Sequence, residues 1–247
     1  MSPPAPFLTA EWRELAMLNF AIAPETLAPY VPRGTELDLW NGTAYVSVVG
    51  FRFLATRVRG WRIPGHADFI EANLRMYVRR REGNETRRGV VFIRELVPRR
   101  AIAWVARWTY NEPYRALPMR QDIRLRTDGT PESVRYEWRR GARWEGLALC
   151  TSGTGAAAVV PGSEAEFITE HYWGYTRQRD GSTVEYRVTH PPWRVWEAAE
   201  ARLDCDVEAL YGAQFADALR MPPRSAFLAE GSSVTVFRPR VLPEGGA

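Results

Sequence analysis

Short runs of β-branched and aromatic residues, cut at close intervals by tight-turn dipeptides, constrain this chain more than any other feature. Asn41-Gly42, Gly83-Asn84, Asp128-Gly129 and Asp180-Gly181 each stand beside such runs. Asn-Gly and Asp-Gly accept the positive φ angles that two-residue hairpin turns demand. The runs predict strands over 43–53, 71–80, 89–97, 101–110, 120–126, 133–139, 143–151, 183–189 and 232–238. Strands joined by so few residues pair antiparallel, because a parallel pair needs a long crossover. Residues 12–22 fit a strand or a helix equally well. Pro24 to Leu27 opens a short helix, with proline suited to a first turn. A second helix starts at the capping box Ser163-Glu-Ala-Glu166 and places Phe167, Ile168, His171, Tyr172 and Tyr175 on one face. The expected class is α+β, mostly antiparallel β, in a single domain over 1–247, since no repeat, low-complexity tract or long linker divides the chain.

Composition narrows the chemistry. All 33 basic residues are arginine, and lysine is absent. No lysine Schiff base, lysine general base or P-loop lysine exists here. Arginine stays protonated, so it binds and orients anions rather than shuttling protons. The chain is 45% hydrophobic, yet no run reaches the roughly 18 apolar residues of a membrane helix. A net charge of +4 comes without a helix-turn-helix, zinc-finger or RNA-binding motif, so nucleic acid is not an expected partner. Cys150 and Cys205 lie far apart without zinc-type spacing, and His66, His171 and His190 are dispersed. Neither a disulfide framework, a metal site nor a cofactor is expected. The start of the chain lacks the basic and apolar regions of a signal peptide, which points to the cytoplasm.

The segment from Glu71 to Val78 carries the densest chemical content. Alternation puts Ala72, Leu74, Met76 and Val78 on one face and Glu71, Asn73, Arg75 and Tyr77 on the other. The first face is core. The second is either a solvated surface or, in a closed barrel, the lining of a ligand cavity. Arg94 and Glu95 are neighbours on the next strand and point to opposite faces, so one of them shares such a cavity. His171 is the best general acid–base candidate, its unperturbed pKa being about 6.5. His66 reads as a loop contact and His190 as structural.

The runs Pro32-Arg-Gly-Thr-Glu-Leu-Asp38, Tyr45-Val-Ser-Val-Val-Gly-Phe51, Glu71-Ala-Asn-Leu-Arg-Met-Tyr-Val78 and Glu170-His-Tyr-Trp-Gly-Tyr-Thr176 resemble the uncharacterised YqjF-like family over roughly residues 7–241. That family is grouped with the acetoacetate decarboxylase-like superfamily. The resemblance implies a cone-shaped, mostly antiparallel barrel with a few short helices. The decarboxylases carry Gly-Arg-Glu followed by Pro-Lys-Lys, whose first lysine forms the Schiff base. This chain has Arg94-Glu95 and, after a shorter gap, Pro98-Arg99-Arg100, so imine-based decarboxylation is excluded.

Two functional classes follow. In the first, a polar cavity binds a small carboxylate or oxo-acid and, if there is turnover, a lysine-independent lyase or isomerase moves a proton. Arg75 or Arg99 would hold the anion, with Asn73 and Arg94 also among the binding groups. Glu71 or Glu95 would move the proton, and Tyr77 or His171 would polarise the oxygen. In the second, a non-catalytic binding or sensor protein takes an apolar or aromatic molecule, for which the ten tryptophans, Trp104 and Trp108 among them, supply material. Because superfamily relatives often assemble, the resemblance also leaves room for a homo-oligomer. A buried carboxylate beside an arginine favours the first class, an all-apolar cavity the second.

Overall fold

The computed structural model describes residues 5–101 and 111–243. The strand expected over 101–110, with Trp104 and Trp108, therefore lies outside the described residues beyond Ala101. In chain order the strands are β1 (Pro6–Ile22), β2 (Glu36–Leu37), β3 (Ala44–Val58), β4 (Trp61–Arg62), β5 (Phe69–Glu82), β6 (Glu85–Val97), β7 (Tyr114–Ala116) and β8 (Met119–Leu125). They continue with β9 (Pro131–Arg140), β10 (Arg143–Thr151), β11 (Ala157–Ala158), β12 (Trp173–Arg177), β13 (Thr183–Thr189), β14 (Arg194–Asp204), β15 (Ser225–Phe237) and β16 (Arg240–Val241). The α-helices that lie wholly within the described residues are α1 (Pro24–Leu27), α2 (Glu164–Thr169), α3 (Val207–Tyr211) and α4 (Ala216–Leu219).

The sheet is mixed and mostly antiparallel. Its pairing order runs β13–β12–β6–β5–β3–β1–β15, and β13 also pairs with β15 through Val188↔Val236 and Thr189↔Thr235, so this path of pairings returns on itself. The parallel pairs are β12 with β6 and β7 with β6, each joined in the chain by the longer connection that parallel strands require. From β15 the path continues outward through β14, β10 and β9 to β8, a separate antiparallel layer.

Strands β1, β3 and β5 are buried on both faces, which is why their sequences read as near-continuous apolar runs. Alternate residues feed two cores. Leu18, Val48, Leu74 and Met76 pack outward against Tyr136, Trp138 and Leu149 of the outer layer and Leu210 and Phe215 of the helical segment. Met17, Val49, Phe51 and Phe53 face inward with Phe167, Ile168 and Trp193. Gly50 lets the two layers meet: a Cβ there would lie 2.5 Å from the Tyr136 ring. Local geometry bends β1 at Glu14, whose φ of 47° marks the register shift between Arg13 and Ala16. The Arg52 guanidinium grips that Glu14 carboxylate at 2.7 and 2.8 Å.

Several expectations are met closely. The β10 boundaries match, α1 starts at Pro24, and Asn41 and Gly42 both take positive φ in a turn closed by a Trp40–Thr43 bridge. Residues 12–22, which fit either class, are strand, and α1 gives way to a 3-10 turn over Ala28–Tyr30. The helix from Ser163 is shorter than its periodicity predicted. Ser163 Oγ accepts from the Glu166 amide as expected, but α2 ends at Thr169, His171 lies in a connection, and Tyr175 belongs to β12. Gly174 explains the switch, because it allows the Tyr186 ring of the adjacent strand to lie directly over the backbone, where a Cβ would be 2.1 Å from Cζ. Strand β14 was not foreseen from the sequence.

Candidate functional site

The inward faces of the looping strands enclose a cavity of about 270 Å³. The register of β3, β5 and β6 arranges its wall in tiers. Arg75 pairs with Ser47 and Phe92, Asn73 with Val49 and Glu95, Glu71 with Phe51, and Phe69 with Phe53. Beyond Arg75 the cavity is closed by α2, since the Arg75 guanidinium donates to the Ile168 carbonyl at 3.2 Å. Among the described residues it opens toward Phe69, where the lining reaches His66 and the exposed Ile63, in the connection that carries the exposed Trp61.

The middle tiers hold a carboxylate cluster. Glu71, Glu95 and Glu112 are all buried and all line the cavity. Glu71 accepts from Asn73 Nδ2 at 3.0 Å and from the Tyr114 hydroxyl at 3.1 Å. Glu112 accepts from Thr176 Oγ1 at 2.6 Å and the Tyr186 hydroxyl at 3.0 Å. Burial pushes the Glu71 carboxyl up to about 7, against the hydrogen bonds from Asn73 and Tyr114 that favour its charged form. Burial likewise raises Glu112 to about 8, opposed by Thr176 and Tyr186. Glu95 is raised well above the ordinary carboxylate range by burial, then by repulsion from Glu112 and Glu71. At neutral pH the cluster therefore retains protons that exposed carboxylates would have lost. Among the described residues two buried atoms here, Glu95 Oε2 and Asn73 Oδ1, have no hydrogen-bond partner, although their residues face each other across β5 and β6. A buried polar atom left open in this way costs about 1–3 kcal/mol, which a ligand can recover.

The deep tier is cationic. Among the described residues Arg75 has no carboxylate partner; it donates to the Tyr77 hydroxyl at 3.3 Å and to the Ile168 carbonyl. Tyr77 OH meets Ser47 Oγ at 2.6 Å, Ser47 donates to Asn19 Oδ1 at 2.6 Å, and Asn19 donates to Ser225 Oγ at 3.0 Å. A polar belt crossing four neighbouring strands thus orients the guanidinium. His171 stands nearby, its ring 4.7 Å from that of Tyr77 and its Nε2 3.3 Å from Asp38 Oδ2. Burial lowers the His171 pKa to about 4, with Asp38 opposing and the Arg88 and Arg75 charges reinforcing the shift, so the imidazole is neutral near pH 7. For Asp38 burial acts upward, but hydrogen bonds from His171 and Arg88 outweigh it and hold the carboxyl below its usual value.

Five of the eight residues singled out in the sequence line this cavity: Glu71, Asn73, Arg75, Glu95 and His171. Tyr77 is buried behind the wall, holding Arg75. Arg94 is not brought to the cavity. It pairs opposite the core residue Leu74 and its charge acts on Tyr211 at the end of α3, as alternation with Glu95 requires. Arg99 stands exposed in the turn after β6, outside the lining, because the strand ends at Val97. His66 makes its loop contact with the Pro64 carbonyl at 2.9 Å, and His190 stacks on Trp193 at 4.1 Å. Sequence reasoning missed Glu112 and Tyr114, which flank Pro113 in a segment without periodicity; parallel pairing of Glu95 with Tyr114 brings them in. Among the described residues no group of three or more His, Cys, Asp or Glu has the geometry to hold a metal ion. No helix among them is long and apolar enough to cross a membrane.

A family model described as an uncharacterized conserved protein, DUF2071, matches residues 9–233. The chain belongs to the DUF2071 family. The uncharacterized protein YqjF of Bacillus subtilis (strain 168) is 26% identical over 195 residues, covering 78% of this chain and 76% of that protein. Solved structures share the fold at much lower identity. Acetoacetate decarboxylase from Legionella pneumophila superposes with a TM-score of 0.64 at 13% identity, covering 99% of this chain and 90% of the other. The enduracididine biosynthesis enzyme MppR complexed with pyruvate gives 0.66 at 13%, covering 99% and 93%. An acetoacetate decarboxylase-like enzyme from Sphingomonas wittichii RW1 gives 0.63 at 16%, covering 96% and 94%.

Proposed function

We propose that this DUF2071 chain binds a small oxo-acid in its cavity and transfers a proton at the carbon next to the carbonyl, without a covalent intermediate. The observation that carries the reading is the buried cluster of Glu71, Glu95 and Glu112, with its open Glu95 oxygen, in the same cavity as an Arg75 that has no described carboxylate partner. The path of strand pairings that returns on itself supports the cone-shaped barrel expected of the superfamily, and pyruvate bound to a protein of the same fold supports the ligand class.

The division of labour follows from charge and position. Arg75 takes the ligand carboxylate, giving the deep tier the anion it lacks. Protonated Glu95 donates to the carbonyl oxygen, and burial keeps that proton in place before the ligand arrives. Ionised Glu71, poised near neutrality, accepts the proton from carbon as the oxygen gains one from Glu95; reversal returns both. Tyr114 bridges the carboxylates and Asn73 holds Glu71 in place.

The test is solvent exchange. With 2-oxobutyrate in D2O, proton NMR is expected to show protein-dependent loss of the C3 proton signal. Glu71→Gln is expected to slow it about 100-fold or more, the scale of a positioned general base. Absence of both exchange and saturation transfer to every 2-oxo-acid tried overturns the proposal. Saturation transfer without exchange favours the second reading, a non-catalytic binding protein, which the aromatic wall of Trp12, Phe51, Phe53, Phe69 and Phe92 supports.

A further inference from the structure

The order of chemistry along the cavity selects among oxo-acids, and this inference rests on the reading just given. Successive inward residues of β5 are Arg75, Asn73, Glu71 and Phe69, each pair about 7 Å apart along the strand. The cation lies at the end closed by α2, the carboxylate cluster in the next two tiers, and the aromatic residues nearest the opening. Phe53 stacks on Phe69 at 4.6 Å, and Trp12 packs edge-on against Phe51 and Phe53 at 5.4 and 5.7 Å. A three-carbon acid held by its carboxylate at Arg75 spans about one interval. It reaches Asn73 and Glu95 but makes no contact with the aromatic tier beyond them.

We propose that the cavity takes an elongate 2-oxo-acid with an apolar tail, bound head-first: carboxylate on Arg75, carbonyl beside Asn73 and Glu95, and an alkyl or aryl tail among Phe51, Phe53, Phe69 and Trp12 at the opening. The open Glu95 oxygen, when protonated, is the natural donor to the carbonyl, and the open Asn73 Oδ1 accepts from the hydroxyl of the enol. The tail buries apolar area that a short acid cannot, and it covers the open end over the proton-transfer tiers.

Calorimetric titration of the wild-type protein with pyruvate, 2-oxobutyrate, 2-oxohexanoate and phenylpyruvate tests this without altering the fold. Affinity is expected to rise with tail length, by up to about fourfold per buried methylene, and phenylpyruvate is expected to bind at least tenfold more tightly than pyruvate. Phe53→Leu is expected to reduce that ratio. Equal or tighter binding of pyruvate overturns the tail assignment and leaves the oxo-acid reading standing. Binding of no acid overturns both. Phenylacetone, which lacks the carboxylate, binding as tightly as phenylpyruvate removes the role of Arg75 and overturns the head-first orientation.

Discussion

At the scale of single residues, burial without neutralisation is the dominant effect. Glu112 is buried against hydroxyl donors and not against a cation, so its protonated form is the stable one in the folded chain. Its folded pKa, about 8, lies above the ordinary value of 4.5. Between those limits the folded state holds a proton the unfolded state has lost, and stability falls as pH rises. Glu112→Gln removes this penalty. Its stability relative to wild type is therefore expected to increase from pH 5 to pH 8, by at most about 1.4 kcal/mol per pH unit, and to level off above. Urea unfolding at several pH values checks it; a pH-independent difference would mean that Glu112 ionises freely. Gly174 offers a steric counterpart. Gly174→Ala puts a methyl into the Tyr186 ring, and the displaced phenol should lose its hold on Glu112 at a cost of about 1–3 kcal/mol, measurable as a lowered Tm.

At the scale of elements, the strands act through their register. Asn19, Ser47 and Ser225 are individually unremarkable polar residues, but pairing places them side by side on β1, β3 and β15, with Tyr77 completing the belt to Arg75. Tyr77→Phe deletes the link. It is expected to cost about 1–2 kcal/mol in stability and to weaken binding of a 2-oxo-acid more than that of an uncharged analogue, because the loosened group is the guanidinium. Equal weakening of both would show a packing effect only. The belt was legible in the sequence only as scattered polar positions, since nothing local says which residues of separate strands become neighbours. Helix α2 shows the opposite limit. Its Ser163 cap and first turn were readable, but its end was not, because a continuing helical pattern through Tyr175 lost to pairing of β12 with β13 and β6.

At the scale of the whole molecule, the looping strands and the outer layer share one apolar core. Trp138 and Tyr136 of β9 are fully buried against residues from β1, β3 and β5, so the two parts are expected to unfold together. Trp138→Ala should cost about 3–5 kcal/mol and lower the Tm of the entire chain in a single transition. A calorimetric trace with two separated transitions would show that the layers are independent. Strand β8 is the last in the pairing order, and its side chains are mostly exposed. Amide exchange should be fastest there and slowest in β1, β3 and β5.

The sequence by itself determined the strand-rich class, most hairpin turns, the two faces of β5, and the exclusion of lysine chemistry. These are local matters of φ preference, alternation and composition. It also singled out Glu71, Asn73, Arg75, Glu95 and His171, but as two adjacent strands and one distant histidine. Tertiary structure decided that the polar face of β5 looks into a cavity, because only the return of β13 onto β15 distinguishes an inside from an outside. It brought in Glu112 and Tyr114 by parallel pairing and turned Arg94 and Arg99 away. It also set the charge states. A carboxylate and an imidazole carry no mark in sequence of the water they will lose, and that loss is what moves Glu71 up and His171 down.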